Sequence, residues 1–217
     1  MKKKFQLIIP VAGPNNEFEN FKNHKLLIDI YDKKLIEWVQ ISRPYDLSKG
    51  IFIFQKSHEK KYKLSYKISK LLKKKIKYFL LNSYTKGAPQ SILKVKHLIN
   101  PARPLFIDLL DQYIDLKKFI NFCLNSKFDG CVPIFQSLYY NRGYSIIDKS
   151  NFIKKISEKD PKPISTNSTG CVSFFKEARY FFDFAEKMIN KKILSKNGKS
   201  MVSLVYNEMI KNKYRIK

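Results

Sequence analysis

Through the first 136 residues, short and nearly continuous apolar runs alternate with helix-length segments. The runs are Phe5–Val11, Ile51–Phe54, Ile76–Leu81, Pro104–Ile107 and Cys131–Phe135. A run that is apolar throughout, rather than at every second position, suits a strand covered on both faces, as in a parallel sheet. Between the runs, Leu35–Val39 reads as a short helix, and residues 58–75 place Leu64, Ile68, Leu71 and Leu72 at helical spacing. Ala88–Leu98 and Leu116–Asn125 read as further helices. Strand-helix alternation of this length builds βαβ units. The expected fold is α/β: a mostly parallel, Rossmann-like sheet with helices on both faces.

The rhythm changes after Ser137. Tyr144–Ile147, Phe152–Ile156 and Cys171–Phe175 are short strands separated by turn-rich segments, and helices follow at Ala178–Asn190 and Met201–Asn212. This strand-rich second half is expected to close over a site built by the first. With no Pro/Ser/Gly-rich linker, one domain over 1–217 is expected, with a nucleotide-binding half at 1–136 and a sugar-binding lid half at 137–217. A composition that is 44% hydrophobic and 14% aromatic supplies a core for it.

The formal net charge of +25 admits a nucleic-acid-binding surface as an alternative. Of the 43 basic residues, however, only Arg43, Arg103, Arg142, Arg179 and Arg215 are arginine, the residue suited to bidentate recognition of bases and phosphates. Nucleic acid is therefore not the expected main partner; small anions such as nucleoside triphosphates are the milder inference. Cys123, Cys131 and Cys171 are too scattered for a disulfide framework or zinc site and read as small core residues. His24, His58 and His97 show no ligand spacing. The Met1–Lys4 start and the following apolar run are read as a strand entry, not a signal peptide, because Gln6 and Pro10 interrupt the run. No run approaches a membrane span, and a soluble, cytoplasmic protein is expected.

In an open parallel sheet, ligands bind beyond the carboxyl ends of the strands. That rule selects the loop from Gly13 to Lys25, the Gly87-Ala88-Pro89-Gln90 helix start, and the Asp108–Tyr113 segment. A carboxylate at such a strand end can hold a divalent cation. Asp115, just before a helix, reads instead as a cap.

Taken in order, these pieces resemble the sugar-1-phosphate nucleotidyltransferases, especially short bacterial members linked to surface polysaccharides and phosphocholine activation. The resemblance spans roughly residues 5–212. It is carried by Ile8-Ile9-Pro10-Val11-Ala12-Gly13, by Lys25-Leu26-Leu27, by Lys33-Lys34-Leu35-Ile36-Glu37-Trp38, by Gly87–Gln90, by Leu105–Asp115, and by Ser157-Glu158-Lys159 with Pro163-Ile164-Ser165 and Thr169-Gly170. The resemblance implies transfer of a nucleotidyl group from a nucleoside triphosphate to a sugar phosphate, with Mg²⁺ as cofactor. It implies Asp111 as the metal ligand and Lys25 beside the reacting phosphorus as the catalytic pair. Ala12, Gly13, Gly87 and Gln90 would bind the nucleotide, and Glu158, Lys159 and Gly170 the acceptor.

The departures are specific. Where the family has G-x-G-x-R-F, this chain has Gly13-Pro14-Asn15-Asn16-Glu17-Phe18, with Asn15 for the second Gly and Glu17 for the Arg. A carboxylate facing a triphosphate is repulsive. Lys199 replaces an acid in an N-G-E-F-Y stretch. Two readings follow: a transferase with an altered loop, and a relative that binds a nucleotide or sugar nucleotide without turnover.

Overall fold

The computed structural model describes residues 5–139 and 141–217, without the side chains of Glu17 and Glu19. The Met1–Lys4 start and the Glu17 side chain singled out above lie outside the described residues.

The alternating runs become β1 (Gln6–Pro10), β4 (Ile51–Gln55), β5 (Lys77–Leu81) and β6 (Leu105–Asp108), with a small hairpin, β2 (Asp29–Ile30) and β3 (Lys33–Lys34), after the first. These four strands pair in parallel in the order β5-β4-β1-β6. Their side chains divide by parity. Ile8, Ile53, Leu105 and Ile107 join one buried cluster, and Leu7, Ile9, Phe52, Phe54 and Phe106 the other. The first cluster is completed by α4 (Ala88–Leu93), α6 (Ala178–Asn190) and α7 (Val202–Lys211). The second is completed by α1 (Leu35–Ser42), α3 (Leu64–Leu71) and α5 (Lys117–Asn125). Apolar burial on both faces is the reason the central positions of these strands are apolar on consecutive residues, and the expected α/β class with helices on both sides is the observed one. All three cysteines are buried and free.

Three expectations need correction. The helix expected over 58–75 is two helices, α2 (Lys56–Tyr62) and α3, because Lys63 takes a left-handed conformation with φ 53°. The Glu59 carboxylate stabilises the break by accepting from the backbone N–H and the hydroxyl of Ser65, at 2.9 and 2.6 Å. The single strand expected over 131–135 is also two. β7 (Gly130–Cys131) ends at the edge of the central sheet, and beyond Pro133, which has no N–H to give a ladder, β8 (Ile134–Gln136) enters a second sheet.

The third correction concerns the second half. Its four-stranded sheet, in the order β10-β9-β11-β8, contains β9 (Gly143–Ile147), β10 (Ile153–Glu158) and the unforeseen β11 (Asn167–Thr169). Its first strand in the chain, β8, precedes Ser137. The last strand, β12 (Val172–Phe175), returns to the central sheet between β6 and β7 and is its antiparallel member. One edge of the smaller sheet is covered by α7: the Asn207 amide exchanges two hydrogen bonds with the Ile156 backbone, at 2.8 and 2.7 Å. Pairing of this kind removes an open strand edge. Among the described residues, no helix is long and apolar enough to cross a membrane.

Candidate functional site

Parallel strands put their carboxyl ends on one edge, so the loops after β1, β5 and β6 carry Gly13, Gly87 and Asp111 to the same side of the sheet. There, between the β6 loop and the four-stranded sheet, lies a cavity of about 260 Å³. Asp111, Glu158, Lys159 and Gly170 all line it, together with Arg142 and Thr169. Residues separated by nearly fifty positions thus share one wall-to-wall space.

Glu158 ends β10 and is buried. Burial pushes its carboxyl pKa above the ordinary value; the Ser203 hydroxyl and the Lys159 ammonium pull it down, while the Asp111 charge adds to the rise. The Ser203 hydroxyl donates to this carboxylate. Gly143 leaves the room it needs, since a Cβ there would strike both Glu158 and the Thr169 hydroxyl. Lys159 follows in a left-handed conformation, φ 56°, with its backbone N–H on the Arg142 carbonyl at 3.0 Å and its ammonium on the Asn141 carbonyl at 2.7 Å. Gly170 packs its Cα against Pro133, where a Cβ would come within 2.8 Å of the ring.

Asp111 stands exposed on the β6 loop. The root of that loop is Asp108, fully buried and clamped by Arg43. Arg43 also donates to the carbonyls of Gln112 and Ile114, both at 3.2 Å, and Tyr45 donates to Asp108 at 2.7 Å. Burial opposes the Arg43 charge, but the Asp108 carboxylate more than offsets it and holds the guanidinium above its ordinary pKa. Asp115 accepts from the Lys117 N–H at 2.9 Å, the capping part expected of it.

Ala12, Gly13, Lys25, Gly87 and Gln90 do not line this cavity; they occupy the segments that follow β1 and β5 on the same sheet edge, Gln90 in the first turn of α4. Asn15 braces the first of these segments. Its amide donates to the Asn23 carbonyl at 3.0 Å, and its oxygen accepts from the Lys25 N–H at 2.9 Å. Lys25 lies near two buried imidazoles, His24 and His58. Burial, reinforced by His58 and Lys25, lowers the His24 pKa to about 3. Gly87 has φ 142°, and the space above its Cα is taken by the Ser200 carbonyl rather than left open. Ser200 donates its backbone N–H to the Lys86 carbonyl at 2.7 Å, and the Gln90 side-chain oxygen accepts from the Lys86 N–H at 2.9 Å.

Comparison with solved structures places this architecture. A nucleoside-diphosphate-sugar pyrophosphorylase from Vibrio cholerae superposes with a TM-score of 0.75 at 17% identity, over 97% of this chain and 90% of that one. The fold is shared. A UDP-glucose pyrophosphorylase, solved with UDP-glucose, superposes with a TM-score of 0.73 at 17% identity, over 100% of this chain and 89% of that one. No protein-family model matches the sequence, and comparison with curated proteins gives no match.

Within this pyrophosphorylase-like fold, two residues went unassigned in the sequence reading. Arg43 positions the β6 loop, and Arg142 lines the cavity. The available signal was rarity: both belong to the five arginines of a chain whose other basic residues are all lysine.

Proposed function

We propose that the chain transfers a nucleotidyl group from a nucleoside triphosphate to a small phosphorylated acceptor such as a sugar 1-phosphate. The observation that carries this is the convergence of Asp111, Glu158, Lys159 and Gly170 on one cavity beyond the carboxyl ends of parallel strands, on a fold shared with nucleotide-sugar pyrophosphorylases. In the reaction, an acceptor phosphate oxygen forms a bond to the α-phosphorus, the bond from that phosphorus to the bridging oxygen breaks, and pyrophosphate leaves with the electron pair. The protein contributes positioning and charge neutralisation.

The acceptor lies in the cavity, with Lys159 and the Gly170 backbone at its phosphate and Glu158 at its hydroxyl groups. Burial helps Glu158 to hold a proton, so that it can donate as well as accept there. Ala12 and Gly13 bring backbone to the triphosphate and Lys25 neutralises it, while Gly87 and Gln90 face the base. Asp111 suits Mg²⁺: its carboxylate is exposed and has no hydrogen-bond or ion-pair partner among the described residues. No cluster of three or more His, Cys, Asp or Glu is assembled among them, and Mg²⁺ ordinarily takes one or two carboxylates, water and substrate phosphates. When bound, the ion supplies charge neutralisation on those phosphates. We place the reaction in surface polysaccharide biosynthesis in the cytoplasm, with 1–217 acting as one unit.

A second reading is favoured by Asn15 and Ser200, which occupy space at the first loop and over Gly87: nucleotide or sugar-nucleotide binding without turnover. The test is pyrophosphate release from each nucleoside triphosphate, with a panel of sugar 1-phosphates and Mg²⁺, alongside thermal shift. Release with one pair, abolished in Asp111→Asn, supports the transferase. Nucleotide-dependent stabilisation with no release from any pair supports the second reading.

A further inference from the structure

Arg142 is a cation without a counter-ion. Among the described residues, Arg43 is paired with Asp108 and Arg179 with Glu177, but Arg142 forms no ion pair. Its Nε is buried and has no hydrogen-bond partner. The guanidinium carbon lies 5.3 Å from the Phe135 ring centre and 5.7 Å from that of Tyr139. Two rings packed against a planar cation restrict its motion and hold its N–H fork ready. A buried, preorganised guanidinium N–H with nothing to donate to is expensive for a fold to keep. It is explained if a ligand supplies the acceptor.

The position of Arg142 says which part of a ligand it meets. It belongs to the wall built by the four-stranded sheet, immediately before β9, with its aromatic supports on and after β8. Asp111 stands on the other contributing element, the β6 loop. The two carboxylates of the cavity leave Arg142 unmatched: Glu158 is engaged by Ser203 and biased toward its protonated form by burial, and Asp111 pairs with nothing described. Lys159, whose backbone is bonded to that of Arg142, already supplies one cation for the acceptor's phosphate. Arg142 is a further cation on the same wall, beside the one assigned to that phosphate.

We infer that Arg142 binds a second anionic group on the acceptor, a carboxylate or a further phosphate, besides the phosphate that reacts. This rests on the reading of the cavity as the acceptor site. The substrate class is then a doubly anionic sugar phosphate or a molecule of similar charge layout. An Arg fork accepts either anion in a bidentate arrangement.

Three probes on one scaffold test it by calorimetric titration: glucose 1-phosphate, glucose 1,6-bisphosphate and glucuronic acid 1-phosphate. The wild type is expected to bind at least one of the latter two roughly tenfold more tightly than glucose 1-phosphate, the worth of one charge-assisted hydrogen bond. Which of the two is preferred distinguishes phosphate from carboxylate. Arg142→Gln is expected to erase the preference, lowering affinity for the favoured probe by about tenfold relative to glucose 1-phosphate, and Arg142→Lys to restore part of it. Melting curves of both variants check that they fold. Equal binding of all three probes by the wild type, or a preference that survives Arg142→Gln, overturns the inference and leaves the acceptor site standing. Failure of all three probes to bind overturns both.

Discussion

Arg43 and Asp108 form a bidentate ion pair, Nε to Oδ2 at 2.7 Å and Nη2 to Oδ1 at 3.1 Å, with both side chains fully buried. Arg43 ends α1 as its C-cap and Asp108 ends β6, so the pair joins a helix end to the root of the loop that presents Asp111. Removing one member strands the other as a buried charge. Arg43→Met is expected to destabilise the protein by about 3–5 kcal/mol. The double variant Arg43→Met/Asp108→Leu should recover much of that, because neither charge then needs a partner. Urea unfolding of the two variants decides; equal losses in both would show that the pair is not the source. In the double variant, amide exchange over residues 109–114 should still be faster than in the wild type, since the Arg43 bonds to the Gln112 and Ile114 carbonyls are gone.

Asn15 makes the reversal of the first loop more than a loss of glycine. Its two partly buried hydrogen bonds span Asn23 to Lys25. Asn15→Gly, which removes both bonds, is therefore expected to cost about 1–3 kcal/mol and to weaken nucleotide binding. Glu17→Arg alone, which exchanges an acid for a base in the same loop, should tighten nucleotide binding. Melting and nucleotide titration of the two single variants separate these effects. An unperturbed melt for Asn15→Gly would refute the bracing role.

Gly143 tests the acceptor wall from its backbone. Gly143→Ala drives a Cβ into the Glu158 carboxylate and the Thr169 hydroxyl, both of which would have to shift. Acceptor affinity should fall by about tenfold or more, equivalent to roughly 1.4 kcal/mol, with nucleotide affinity little changed. If titrations show both ligands weakened alike, the change has spread beyond the cavity.

His24 makes stability depend on pH. Its Nδ1 accepts from the Leu26 N–H at 3.4 Å, its ring faces His58 and Tyr62, and Lys25 adds positive charge. His58 in turn lies beside Tyr84, and its pKa is likewise lowered, first by burial and then by Lys61 and Lys25. With the folded pKa of His24 near 3 and the ordinary value at 6.5, the unfolded chain binds a proton that the fold refuses. This contribution to stability is whole above about 6.5 and declines as pH falls toward 3. His24→Asn keeps an acceptor for the Leu26 N–H and removes the titration. The wild type should lose melting temperature more steeply than this variant across that window, and parallel curves would count against the assignment.

Local pattern was enough for much of the architecture. The nearly continuous apolar runs from Phe5 to Ile107 announced strands covered on both faces, the intervening periodicity announced helices, and together they implied a parallel sheet with a ligand-binding edge. The same logic placed the three cysteines in the core and gave Asp115 its capping role. Pattern could not divide the helix over 58–75, because the break depends on one left-handed residue and a carboxylate reaching Ser65. Nor could it tell Asp108 from Asp111, two acids at one strand end. Tertiary structure decides between them: Arg43, 65 residues away, buries and neutralises Asp108, which leaves Asp111 as the carboxylate free to meet a ligand. Likewise, nothing local distinguishes Arg43, spent on a buried acid, from Arg142, left facing a cavity. Periodicity is a property of neighbours along the chain. The availability of a charge depends on which partners distant segments bring to it, and only the folded chain determines those.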